Sequence, residues 1–72
     1  MITEIRCTEK GIAYTAKHEI ANYCRAVGYN PRENVRLRDG RRLVFGTGLD
    51  QSVIEKIVGR LPQKKIRVVR GN

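Results

Sequence analysis

The sequence predicts a small two-layer α+β domain whose elements run strand, helix, strand, strand, helix, strand. Three observations carry that expectation. Short alternating apolar stretches stand near both ends of the chain, and two segments between them repeat apolar residues at helical spacing. A single Asp-Gly pair also sits between two strand-like runs.

The first strand is "ITEIRCT", which alternates Ile5 and Cys7 on one face with Glu4, Arg6 and Thr8 on the other. After the turn chemistry of "EKG", the stretch "IAYT" reads as a short return strand or the approach to a helix. Thr15 is then the expected N-cap. Ala16, Ile20, Tyr23, Cys24 and Val27 recur at helical spacing, with Lys17, His18, Asn22 and Arg25 outside. Gly28 stops this helix, and Pro31 bars its continuation.

"VRLRDGRRLVF" is a hairpin about Asp39-Gly40, and two registers compete. A two-residue turn pairs Arg38 with Arg41 and brings Leu43 and Phe45 onto the arginine face. A type I turn with Gly40 in a bulge pairs Leu37 with Arg41 and sets Arg36 across from Arg42. It gathers Val35, Leu37, Leu43 and Phe45 on one face and Arg36, Arg42 and Val44 on the other. A one-residue slip flips a whole strand, so the apolar face decides, and the bulged register is the expectation.

Asp50 caps the second helix, Leu49 staples onto Ile54, and Ile54, Ile57, Val58 and Leu61 form its buried stripe before Pro62. "KKIRVVR" closes the chain as a strand with Ile66 and Val68 inward and Lys65 and Arg67 outward. No repeat, low-complexity segment or linker divides residues 1–72, which are expected to form one domain.

The order of elements is similar to the split β-α-β arrangement of ferredoxin-like domains. The resemblance implies an antiparallel sheet with both helices on one face and the other face open. It implies nothing about function, since that scaffold hosts many.

Charge is more informative. The 72 residues hold 15 Lys+Arg against 7 Asp+Glu, a formal net charge of +8. Residues 1–31 contribute +1, from Arg6, Lys10, Lys17 and Arg25 against Glu4, Glu9 and Glu19. The other +7 lies in residues 32–72, where eleven bases face Glu33, Asp39, Asp50 and Glu55. Such asymmetry is the footprint of a polyanion binder. A net charge of this size also keeps copies apart, but +8 is at the upper edge of what solubility asks of a small domain.

Chemistry-bearing constellations are sparse. One His and two distant cysteines, Cys7 and Cys24, cannot supply a zinc site, so no metal or cofactor is expected. No pair of carboxylates has general acid/base spacing, and Glu19 beside His18 points elsewhere on a helix, so the chain is not expected to be an enzyme. Two cysteines without a signal peptide or an apolar span point to the cytoplasm rather than to secretion or a membrane.

Among nucleic-acid modules, an RRM needs aromatic side chains on its central strands, and Phe45 is expected in the core. No GxxG loop of the KH kind occurs. A winged helix-turn-helix is the more serious rival, with "KHEIANYCRAVGYNP" as first helix and turn and "RLRDGRRLVF" as wing, although the spacing of Ala21 and Gly28 and "PRENVRLRDG", which alternates like a strand, count against it. Gly46-Thr47-Gly48 before a helix suggests a phosphate cradle only weakly, because Asp50 puts a carboxylate there.

The expectation is therefore a non-enzymatic module that binds DNA or RNA by phosphate contacts. Arg36, Arg38, Arg41 and Arg42 form its central patch, and Lys64, Lys65, Arg67 and Arg70 a second limb. The alternative is a regulator or inhibitor docked on an acidic protein surface, anchored by Val44, Tyr29 and an arginine. Lys17, His18, Asn22 and Arg25 extend a basic surface or form an ordinary solvated helix face.

Overall fold

Residues 1–71 are described by the computed structural model. In chain order they form β1 (Ile2–Cys7), α1 (Lys10–Ala26), α2 (Pro31–Asn34), β2 (Val35–Arg38), β3 (Arg42–Phe45), α3 (Gln51–Gly59), a 3-10 turn (Gln63–Lys65) and β4 (Ile66–Arg70). The strands make one antiparallel sheet in the order β2-β3-β1-β4. β1 thus lies between β3 and β4, and α1 carries the chain past β3 to the edge strand β2. This is the split arrangement that the element order implies, with α1 and α3 covering one face.

The core lies between helices and sheet. Ile5, Leu43 and Phe45 from the strands meet Ala16, Ile20 and Cys24 of α1 and Ile54, Ile57 and Val58 of α3. Burying each large aliphatic side chain fully is worth about 1.5–3 kcal/mol. Ile2 and Ile5 are both buried although they stand three apart, which plain alternation forbids. The register shift between Ile2 and Glu4 explains it: two residues on β1 advance against one on β4. The bulge turns Ile2 inward, and the Gln51 side chain grips its backbone, accepting from Ile2 N–H at 2.7 Å.

α1 begins at Lys10, so "IAYT" is helix and Thr15 is not a cap. The Thr15 hydroxyl instead donates to the Gly11 carbonyl one turn back, at 2.9 Å. The apolar stripe that decides the start is Ala13, Ala16, Ile20, Ala21 and Cys24. Its alanines let the helix lie close to the sheet. Tyr23 is only partly buried, and Val27, expected on the stripe, is 48% exposed beyond the helix end. "PREN", expected to run on as a strand, forms the short α2, with Asn30 capping it by accepting from Arg32 N–H at 2.9 Å.

At the hairpin the expected faces hold, but the pairing differs by two residues. Leu37 faces Leu43, not Arg41, and Arg36 faces Val44, not Arg42. Asp39 and Gly40 both have positive φ, 55° and 72°, as a primed two-residue turn requires. Arg41 N–H closes that turn onto the Arg38 carbonyl at 3.2 Å. Arg41 is then one extra residue before the Arg38–Arg42 pair, and its carbonyl accepts from Cys7 N–H of β1 at 2.8 Å. The bulge sits at Arg41 rather than Gly40, and it restores Leu43 and Phe45 to the core.

α3 matches expectation, with Asp50 accepting from Ser52 N–H at 2.9 Å and Leu49, Ile54, Ile57, Val58 and Leu61 all buried. β4 begins only at Ile66, because Lys64 and Lys65 belong to the 3-10 turn. Among the described residues no helix is long and apolar enough to cross a membrane.

The turn gives the first testable outcome. A Cβ at Gly40 meets only the flexible Lys10 side chain, 3.1 Å at its nearest, so the left-handed backbone sets the penalty. Gly40→Ala should lower stability by about 1–2 kcal/mol in urea denaturation. A neutral result would show that the turn is not held in this conformation.

Candidate functional site

The sheet register builds the site. Arg38 pairs with Arg42, Arg42 with Arg6, and Arg6 with Arg67. Four arginines, one from each strand, therefore form a single row across the sheet. Each alternates with an inward apolar neighbour (Leu37, Leu43, Ile5 or Cys7, Ile66 or Val68), which turns the row to the face that α1 and α3 leave open. At about 4.8 Å between strands, the three gaps make the row roughly 14 Å long at the backbone. The adjacent row is Arg36, Val44, Glu4 and Val69.

Like charges placed opposite one another destabilise a sheet, and this row has three such junctions. Glu4 bridges the middle one, Arg42–Arg6. Its carboxylate accepts from Arg6 Nε at 2.6 Å, and from Arg42 Nη2 at 3.1 Å and Nε at 3.3 Å. The residue is 9% exposed, and its hydrogen bonds from Arg42 and then Arg6 outweigh the opposing effect of burial. They draw the Glu4 carboxyl from its ordinary 4.5 down to about 2. The same bonds raise Arg42 above the usual guanidinium range.

The clamp leaves donors free. Arg6 gives Glu4 only its Nε–H, and Arg42 keeps Nη1, so both present guanidinium edges outward in a fixed pose. Arg38 and Arg67 at the ends of the row, and Arg36 beside it, form no ion pair among the described residues. Arg6, Arg67 and Lys64, with Thr8, also line a shallow recess of about 200 Å³ beside the 3-10 turn. Such a group of donors can hold anions. Burial raises both cysteine thiols above their ordinary value.

Of the residues expected from the sequence, Arg36, Arg38, Arg42, Lys64 and Arg67 come together on or beside this face. Arg41 stays exposed at the hairpin tip, outside the row. Two members of the expected second limb are drawn into ion pairs. Arg70 Nη1 bonds Glu55 Oε1 of α3 at 2.8 Å, on the helical side, and Lys65 Nζ bonds Glu9 Oε2 at 2.8 Å. Arg70 follows two outward positions, Arg67 and Val69, and alternation returns it to the helical side. Arg6 and Glu4 were missing from the expected site. Alternation marks both as outward, but only the insertion of β1 between β3 and β4 makes them central.

Glu4 also sets an acid limit. A carboxyl whose pKa is lower in the folded chain contributes stability above its ordinary pKa and loses it as pH falls through the folded value. The native chain should lose stability between about pH 4.5 and pH 2, and Glu4→Gln should flatten that limb while lowering stability at pH 7. Urea midpoints measured across this range check the expectation, and parallel curves for the two proteins would refute it.

Neither protein-family models, curated protein sequences nor solved structures gave a match to this chain.

Proposed function

We propose that the chain is a non-enzymatic module that binds nucleic acid through its phosphates, on the open face of the sheet. The observation that supports this best is the row Arg38, Arg42, Arg6 and Arg67 across the whole width of the sheet, ion-paired among the described residues with one carboxylate, Glu4. A row of guanidinium groups matches a polymer that repeats a negative charge at short intervals, and each arginine can grip a phosphate with two donors.

The reading excludes base stacking as the source of affinity. Phe45 is buried in the core, and the apolar members of the open face are Val44 and Val69 rather than aromatic rings. Contacts then go to phosphate and sugar, which position a partner without reading its sequence. A row of roughly 14 Å, extended by arginine side chains, is long enough to touch both backbones beside a major groove about 12 Å wide.

Salt titration tests it. The four row arginines with Arg36 and Lys64 are six bases, and Glu4 leaves about five to neutralise phosphates. Log affinity for duplex DNA should fall against log salt with a slope near −4.5. Arg6→Ala with Arg67→Ala should make that slope shallower by about 1.8, whereas Glu4→Gln should steepen it by about 0.9. A salt-independent affinity, or no affinity for DNA or RNA, would overturn the proposal.

A further inference from the structure

A second basic surface lies round the edge from the arginine row. Between α1 and the edge strand β2 runs a groove of about 550 Å³ with Lys17, Arg25, Arg32, Arg36 and Arg38 on its walls and no acidic residue. Those five bases form no ion pair among the described residues, and Arg25 reaches only the Asn22 side chain, at 3.1 Å. Its floor is apolar, made by Ala21, Val35 and Leu37. Three elements contribute: Lys17 and Arg25 from α1, Arg32 from α2, Arg36 and Arg38 from β2.

One wall is an unpaired strand. β2 ends the sheet, with β3 on one side and no strand on the other. The bond from Gly46 N–H to the Asn34 carbonyl, 2.7 Å, sets the phase of the β2–β3 ladder. Asn34, Arg36 and Arg38 turn their backbone groups towards β3. Leu37, at the alternate position, turns its N–H and C=O outward along the groove.

We propose that this groove takes an extended acidic segment of another protein, added against β2 as a fifth strand. Backbone pairing with Leu37 supplies the register, the basic walls select glutamate or aspartate, and the apolar floor accepts the alternate side chains. Charge excludes a second copy of this chain, whose own edge strands carry arginines. The edge also disfavours a nucleic-acid strand, because it alternates donors with carbonyl acceptors and a phosphate can only accept. The site shares Arg38 with the arginine row, and Arg36 beside it, but uses neither Arg6 nor Arg67, so the two surfaces can be tested apart.

The experiment is amide hydrogen exchange followed by NMR, with binding isotherms. The full chain is titrated with an end-blocked peptide of alternating glutamate and valine. Parallel titrations use the lysine–valine counterpart, an N-methylated glutamate–valine peptide that cannot pair as a strand, and an oligothymidylate. The glutamate–valine peptide should slow exchange at the Leu37 amide about tenfold or more, and the lysine and N-methylated peptides should not. Arg25→Glu with Arg32→Glu should weaken the peptide about tenfold, while Arg6→Ala with Arg67→Ala should change it less than twofold. Equal binding of the N-methylated peptide, unaltered exchange at Leu37, oligothymidylate as the only occupant, or no binding at all would each overturn the proposal.

Discussion

The open face depends on one carboxylate. Glu4 sits where two arginines from neighbouring strands converge, and without it the middle of the sheet would bring three positive charges side by side in Arg42, Arg6 and Arg67. A charge so nearly buried is costly unless several donors satisfy it. Glu4 has them, and no buried side-chain nitrogen or oxygen among the described residues lacks a partner. The clamp therefore has two effects. It makes a crowded row tolerable, and it fixes two guanidinium groups whose free donors point outward. Much of the entropy that an arginine loses on gripping a ligand is already lost in the folded chain.

The same strands serve the core with their other side. Every residue that raises an arginine to the open face sits beside one that buries an aliphatic or a thiol against α1 or α3. The hairpin shows how tightly the two are linked. A simple two-residue turn would carry Leu43 and Phe45 out to the arginines, and the extra residue at Arg41 prevents this. The bulge at the start of β1 does the corresponding work at the opposite corner, turning Ile2 inward while Gln51 of α3 satisfies its backbone. Two local irregularities, one on each central strand, set which face is apolar and which is charged.

Much of this was legible from residue patterns. Alternation in "ITEIRC" and "VRLR…RLVF", the stripe of α3 and its Asp50 cap, and the sidedness of the hairpin all depend on neighbours close in sequence. The misreadings have physical causes. "IAYT" resembles a strand because Ile12 and Tyr14 alternate with small residues, yet Ala13 and Ala16 begin the helical stripe. The expected hairpin pairing differs from the observed one by two residues because Asp-Gly fits more than one turn, and a bulge shifts partners without changing faces. The site was half legible for another reason: which strands lie side by side is a long-range property. Glu4 and Arg42 are 38 positions apart, so nothing local shows that they touch, or that Arg6 stands at the centre of the row. Arg70 and Lys65 read as free bases until α3 and the segment before α1 bring Glu55 and Glu9 against them.

The sheet has two bare edges, β2 with Arg36 and Arg38 and β4 with Arg67. Unpaired edges invite strands of other copies, and repulsion between positive side chains is a common safeguard against that. Its range is set by ions in solution, roughly 8 Å at physiological ionic strength and about 3 Å in 1 M salt. Concentrated electrolyte therefore weakens the barrier that keeps neighbouring molecules from stacking edge to edge. A buffer of low ionic strength keeps that barrier at its full reach.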